Sequence, residues 1–161
     1  MPNSNANPVN TASPSINNTG SRLTTSEAQV LVALHNQVRA DGGVGPVSWD
    51  PAVAKVAQDY ADRMAATGVF AHNQNNGGLG ENIAMRWPNP TVTQLAGMWA
   101  DEKKDWNTAW VIGQEPGNPQ TGHYTQMVWR ATTKIGAGIA TGPDGKTYLV
   151  CNYSPAGNMM G

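Results

Sequence analysis

Residues 134–153 read Lys134-Ile-Gly-Ala-Gly-Ile-Ala-Thr141, then Gly142-Pro-Asp-Gly145, then, after Lys146, Thr147-Tyr-Leu-Val-Cys-Asn-Tyr153. Two short runs joined by a Gly-Pro-Asp-Gly turn describe a pair of strands. Gly136 and Gly138 strip side chains from the first strand and let another backbone approach it closely. Just upstream, Thr125–Arg130 alternates around Met127, Val128 and Trp129, which predicts a further strand. The last third of the chain therefore reads as three short strands able to pair as an antiparallel meander.

Working back from this region, the period changes from two to about 3.6. Thr24 and Glu27 have capping-box spacing, and Ala28, Leu31, His35 and Val38 follow at helical intervals. Gly42 and Gly43 end this first helix. Pro46–Trp49 reads as a short extended link. Asp50 then caps a second helix, with Pro51 at its first position. The apolar stripe of this helix is Val53, Val56, Ala57, Tyr60, Ala61 and Met64, and Gly68 closes it. Residues 69–90 are dominated by Asn, Gly and Pro and predict a loop, with a short helical piece around Glu81–Met85. A third helix, capped by Asn89 or Thr91, carries Leu95, Met98, Trp99, Glu102 and Trp106. Asn107–Thr121 is again irregular. Helices first and strands after give an α+β class, with helices covering a sheet.

The bulk numbers agree with one domain. The chain has 161 residues, enough for a single real core. A net charge of −1, with no basic patch, argues against nucleic acid as a partner. No apolar run reaches the length of a membrane span. A single cysteine, Cys151, excludes an internal disulfide and a cysteine-based zinc site. Residues 1–22 contain no apolar segment of the signal-peptide kind and are rich in Asn, Ser, Thr and Pro. The expectation is a mature secreted chain with an added start Met. Residues 1–23 would form a disordered or loosely docked tail, whose removal through Arg22 leaves the melting temperature nearly unchanged.

Few side chains stand out for chemistry. Glu102 falls seven residues after Leu95, four after Met98 and three after Trp99, so helical spacing puts a carboxylate on an apolar face. Such a group needs a partner. Of the three histidines, His35 lies on the inner face of the first helix and reads as a hydrogen-bonded core residue. His72 and His123 lie outside the long helices, where imidazoles serve as metal ligands or acid–base groups. No local metal signature accompanies them, and Glu81 by itself is an ordinary loop residue.

Gly122-His-Tyr-Thr-Gln-Met-Val-Trp129 and Tyr148-Leu-Val-Cys-Asn-Tyr-Ser-Pro-Ala-Gly-Asn158 resemble the two signatures of the CAP superfamily of cysteine-rich secretory, antigen-five and pathogenesis-related-1 proteins. His35-Asn-Gln-Val-Arg39, Trp49, Gly80-Glu-Asn82 and the Trp99 and Glu102 pair are similar in order and spacing. The similarity runs from Ser26 to Gly161, which makes residues 24–161 one SCP-like domain. It implies a three-layer α–β–α sandwich with a small antiparallel sheet. It also implies a cleft lined by His72, Glu81, Glu102 and His123, in which His72 and His123 hold zinc or another divalent cation. The missing disulfides resemble a bacterial-type member, and Cys151 becomes a free, buried strand residue.

Three functions remain open under that resemblance. The preferred one is a secreted, monomeric binder of a small hydrophobic ligand, sterol or fatty acid. Trp106 and Trp110 occupy the stretch that corresponds to an aromatic-rich sterol-binding loop in some members, with core anchoring as their alternative role. The second is a metal-dependent hydrolase using the same cleft, although the resemblance assigns no catalytic residue. The third is a defence or protein-interaction module in which the four side chains are structural.

Overall fold

The computed structural model describes residues 16–106 and 121–158. Four helices, a 3-10 turn and four strands follow in the order α1 (Thr25–Asp41), β1 (Ser48–Trp49), α2 (Pro51–Thr67), β2 (Gly80–Arg86), α3 (Val92–Asp101), the turn Glu102–Asp105, α4 (Gly122–Met127), β3 (Lys134–Thr141) and β4 (Thr147–Ser154). Local chemistry sets the helix starts. Thr24 accepts from the Glu27 backbone while the Glu27 side chain returns to the Thr24 N–H. Asp50 accepts from the N–H groups of Ala52 and Val53, with Pro51 beside it. Thr91 and Gln94 form a second capping box at α3.

The strands form one sheet in the order β1-β3-β4-β2. β3 pairs antiparallel with β4, and β4 antiparallel with β2, whereas the two-residue β1 runs parallel to β3. Alternate strand residues feed two separate cores. On one face, Ile83, Ala140, Tyr148 and Val150 pack against Ala57, Ala61 and Met64 of α2. On the other, Ala84, Ile135, Ala137, Leu149, Cys151 and Tyr153 meet Leu31 of α1, Leu95 and Trp99 of α3, and Met127 of α4. The result is the α–β–α sandwich, with α2 alone on one side. Gly136 and Gly138 make the α2 contact possible. A Cβ on Gly136 would lie 2.2 Å from the Ala54 nitrogen, and one on Gly138 would lie 2.3 Å from the Gln58 Cα. Cys151 is fully buried, and burial pushes its thiol up to about 12, so it is an inert core residue.

Three expectations from sequence are corrected. Thr125–Arg130 is not a strand: Gly122–Met127 forms α4. Tyr124, Thr125, Gln126 and Met127 are all buried, so no polar face gives the segment a period. Residues 81–85 are not helical but lie in β2, an outer strand whose pairing partner β4 is about 70 residues away. The meander is replaced by a four-strand sheet whose first pairing is parallel.

Residues 1–15 of the expected tail lie outside the described residues, and residues 16–23 are held against the domain. Leu23 is buried and joins the α1/α3 core. The Trp49 indole N–H donates to Thr19 O at 2.8 Å, and the Arg22 N–H donates to Gln58 Oε1 at 2.9 Å. Gly20 sits at φ +76 with its backbone pressed against Pro51, so a Cβ there would collide with the Pro51 carbonyl. Deletion of residues 1–23 is therefore expected to cost about 2 kcal/mol, from exposed apolar surface and orphaned partners. A melting temperature unchanged by that deletion would show that these contacts contribute nothing.

Candidate functional site

The four expected side chains form two His–Glu pairs. α3 ends at Asp101, and the 3-10 turn aims Glu102 across at α4. Glu102 Oε2 lies 2.6 Å from His123 Nδ1, while Oε1 accepts the N–H groups of His123 and Tyr124, both at 3.0 Å. Thr121, at the N-terminal end of α4, supplies no side-chain cap. Glu102 therefore performs that task from another element, and one carboxylate fixes both the helix start and the imidazole. The His123 ring stacks on Trp99, with centroids 6.1 Å apart and planes inclined by 18°. Trp99 is itself pinned through its indole N–H to Ile83 O at 3.1 Å.

The second pair stands where the chain returns from α2 to the sheet. Glu81 Oε1 lies 2.7 Å from His72 Nδ1 and accepts the Asn73 N–H at 2.9 Å. The Glu81 side chain is 5% exposed, against 57% for His72. Its second oxygen, Oε2, is buried and has no hydrogen-bond partner among the described residues.

Asn82 links the two pairs, a role the sequence did not reveal. Successive strand residues face opposite sides, so Glu81 shares the α2 face with Ile83 while Asn82 turns to the other. The Asn82 amide donates to His123 O and to the Tyr153 hydroxyl oxygen, each at 3.0 Å. The Tyr153 hydroxyl lies 2.7 Å from His35 Nε2, and His35 Nδ1 lies 2.8 Å from Leu31 O. A carbonyl can only accept, so His35 Nδ1 carries the proton and Nε2 accepts from Tyr153. The chain of bonds runs from a fully buried histidine to the backbone of His123. Only the adjacency of Asn82 to Glu81 in Gly80-Glu-Asn82 hinted at it.

In each pair Nδ1 is committed to a carboxylate, which leaves Nε2 as the outward ligand atom of His72 and His123. Among the described residues, no group of three or more His, Cys, Asp or Glu side chains could hold a metal ion. His72 and His123 thus each offer one further imidazole nitrogen. Trp106 packs near Tyr124, with ring centroids 6.5 Å apart. Trp110 lies outside the described residues.

A large concavity lies elsewhere. A groove of about 810 Å³ runs along α1, walled by Ile16, Val32, Ala33, Val47 and Trp49 among others. Neither the two His–Glu pairs nor Trp106 line it. Glu102→Ala, by contrast, acts on the paired site. It strips three donors of their acceptor and is expected to destabilise the fold by about 2 kcal/mol in urea denaturation. A change near zero would mean that water replaces the carboxylate without cost.

The sandwich agrees with the comparisons. Residues 32–153 match the family model described as CAP, the cysteine-rich secretory protein family, and the chain belongs to that family. It is 39% identical over 133 residues to pathogenesis-related leaf protein 4 of Solanum lycopersicum, covering 83% of this chain and 80% of that protein. It is 36% identical over 135 residues to the Golgi-associated plant pathogenesis-related protein 1 of Homo sapiens, covering 82% and 84%. Among solved structures it resembles NaASP2 with Zn2+, at a TM-score of 0.72 and 30% identity, over 92% of this chain and 87% of that one. No helix among the described residues is long and apolar enough to cross a membrane.

Proposed function

We propose that this CAP domain acts as a secreted, monomeric binding protein for a small hydrophobic ligand, sterol or fatty acid. The supporting observation is the groove along α1, whose volume of about 810 Å³ falls within the ordinary range of ligand sites. The two His–Glu pairs form a separate site able to hold a divalent ion. His72 and His123 would hold it through Nε2, with Glu81 and Glu102 orienting the rings. Zinc bound there would supply Lewis acidity toward a coordinated water. NaASP2, the relative solved with Zn2+, makes that metal the first to test.

The same four residues brace the fold through Asn73, Tyr124 and Asn82, which favours a structural role over turnover. Native mass spectrometry, combined with elemental analysis, tests the reading. The protein is offered cholesterol and palmitate in turn. A 1:1 adduct with either lipid is expected, and no adduct with either would sink the proposal. Zinc lost from wild type on chelation and never bound by His72→Ala plus His123→Ala would support the metal site. If neither lipid nor metal is retained, the protein-interaction reading takes over.

A further inference from the structure

Resting on the ligand-binding reading above, we infer that the α1 groove is the binding site and that it selects an uncharged amphiphile over a free carboxylic acid. The residues on its α1 wall follow helical spacing: Gln29, then Val32 and Ala33, then Asn36 and Gln37, then Ala40. This is one continuous helix face whose apolar members are small, so a slender chain can lie along it. The opposite wall is the segment beginning at Ile16, which two contacts hold in place. Thr25 Oγ1 donates to Ile16 O at 3.0 Å, and the Trp49 indole N–H donates to Thr19 O. Trp49 thus secures the wall while its ring lines the groove.

Charge decides the ligand class. None of the lining residues is Asp, Glu, Lys, Arg or His. Arg39, the cation on α1 itself, is already engaged. Arg39 of α1 donates to the carbonyls of Gly45, Met127, Trp129 and Thr132. A carboxylate lowered into this groove would lose water and find no cation among the lining residues. A hydroxyl head would meet amides such as Asn17 and Gln29, which both donate and accept. Asn36 is not available for this, because its amide bridges the N–H and C=O of Val47.

The test compares 1-hexadecanol with palmitate, probes of equal chain length that differ in head charge. Both are radiolabelled and equilibrated with the full chain at pH 8. The alcohol is expected to bind about tenfold tighter or more. Ala33→Trp, which fills the helix face from an exposed position, is expected to weaken alcohol binding by about tenfold or more. Gln37→Trp serves as a second block if Ala33→Trp fails to melt cooperatively. Palmitate binding as tightly as the alcohol overturns the selection of uncharged heads. Alcohol binding unaffected in a folded Trp variant overturns the groove as the site but leaves the ligand-binding reading standing. Failure of wild type to bind either probe or cholesterol overturns that reading as well.

Discussion

Arg39→Ala is expected to lower stability by about 4 kcal/mol or more, most of the margin of an ordinary domain. Arg39 is 1% exposed, and no carboxylate among the described residues pairs with it. Four carbonyl oxygens receive its guanidinium instead: Gly45 through Nε, Met127 at 2.9 Å and Trp129 at 2.9 Å through Nη1, and Thr132 at 3.0 Å through Nη2. Those carbonyls belong to the turn after α1, to the last residue of α4 and to the segment joining α4 to β3. One planar fork thereby fastens two irregular stretches that no ladder of backbone bonds supports. Burial holds the guanidinium below its ordinary pKa, yet it keeps its proton at any working pH. Truncation to Ala removes every donor at once and leaves buried oxygens unpaired around a cavity. Arg39→Lys is expected to recover only a minor part, since one ammonium on a flexible stem cannot reach four separated acceptors. Urea denaturation of the two variants checks both statements. A loss below about 1 kcal/mol in Arg39→Ala would show that water satisfies the carbonyls equally well.

Helices α1 to α3 and the β3–β4 hairpin were legible because their signals are local. Thr24 with Glu27, and Asp50 with Pro51, state where α1 and α2 begin, and Gly142-Pro-Asp-Gly145 states where the hairpin turns. Elements defined by distant partners were not legible. β2 emerges from an Asn- and Gly-rich stretch because β4 supplies its pairing, from Gly80 opposite Tyr153 to Arg86 opposite Thr147. α4 has four consecutive buried residues, so its apolar pattern carries no helical period. At the site, helical spacing alone could say that Glu102 needed a partner. It could not say that the partner lay 21 residues on, or that Glu81 would take His72 across a loop. Those pairings came from the family resemblance. Arg39 and Asn82 were visible only as letters within motifs, because both work through backbone oxygens, and backbone acceptors leave no mark on a sequence.

Acid is expected to weaken the fold through His35, and the sign follows from its surroundings. Burial is the main cause that lowers its pKa from 6.5 to about 4; the bond to Leu31 O opposes it, and the charge of Arg39 adds to it. The unfolded chain thus takes up a proton at a pH where the folded chain refuses it. The stabilising preference for neutral His35 is fully present above pH 6.5, shrinks as pH falls through that value, and is gone below about 4. The difference of about 2.5 pH units corresponds to about 3 kcal/mol. Protonation also removes the acceptor for the Tyr153 hydroxyl, whose oxygen takes the Asn82 amide that holds His123 O. Loss at His35 should therefore reach the paired site. His35→Gln isolates the contribution, since every other titrating group is kept. At pH 7 the variant should be the less stable protein. The gap to wild type should narrow by about 2–3 kcal/mol by pH 4.5, with amide exchange of the α4 backbone accelerating in wild type over the same interval. A gap of equal size at pH 7 and pH 4.5 would mean that His35 titrates alike in both states, and the buried chain to His123 would then carry no pH dependence.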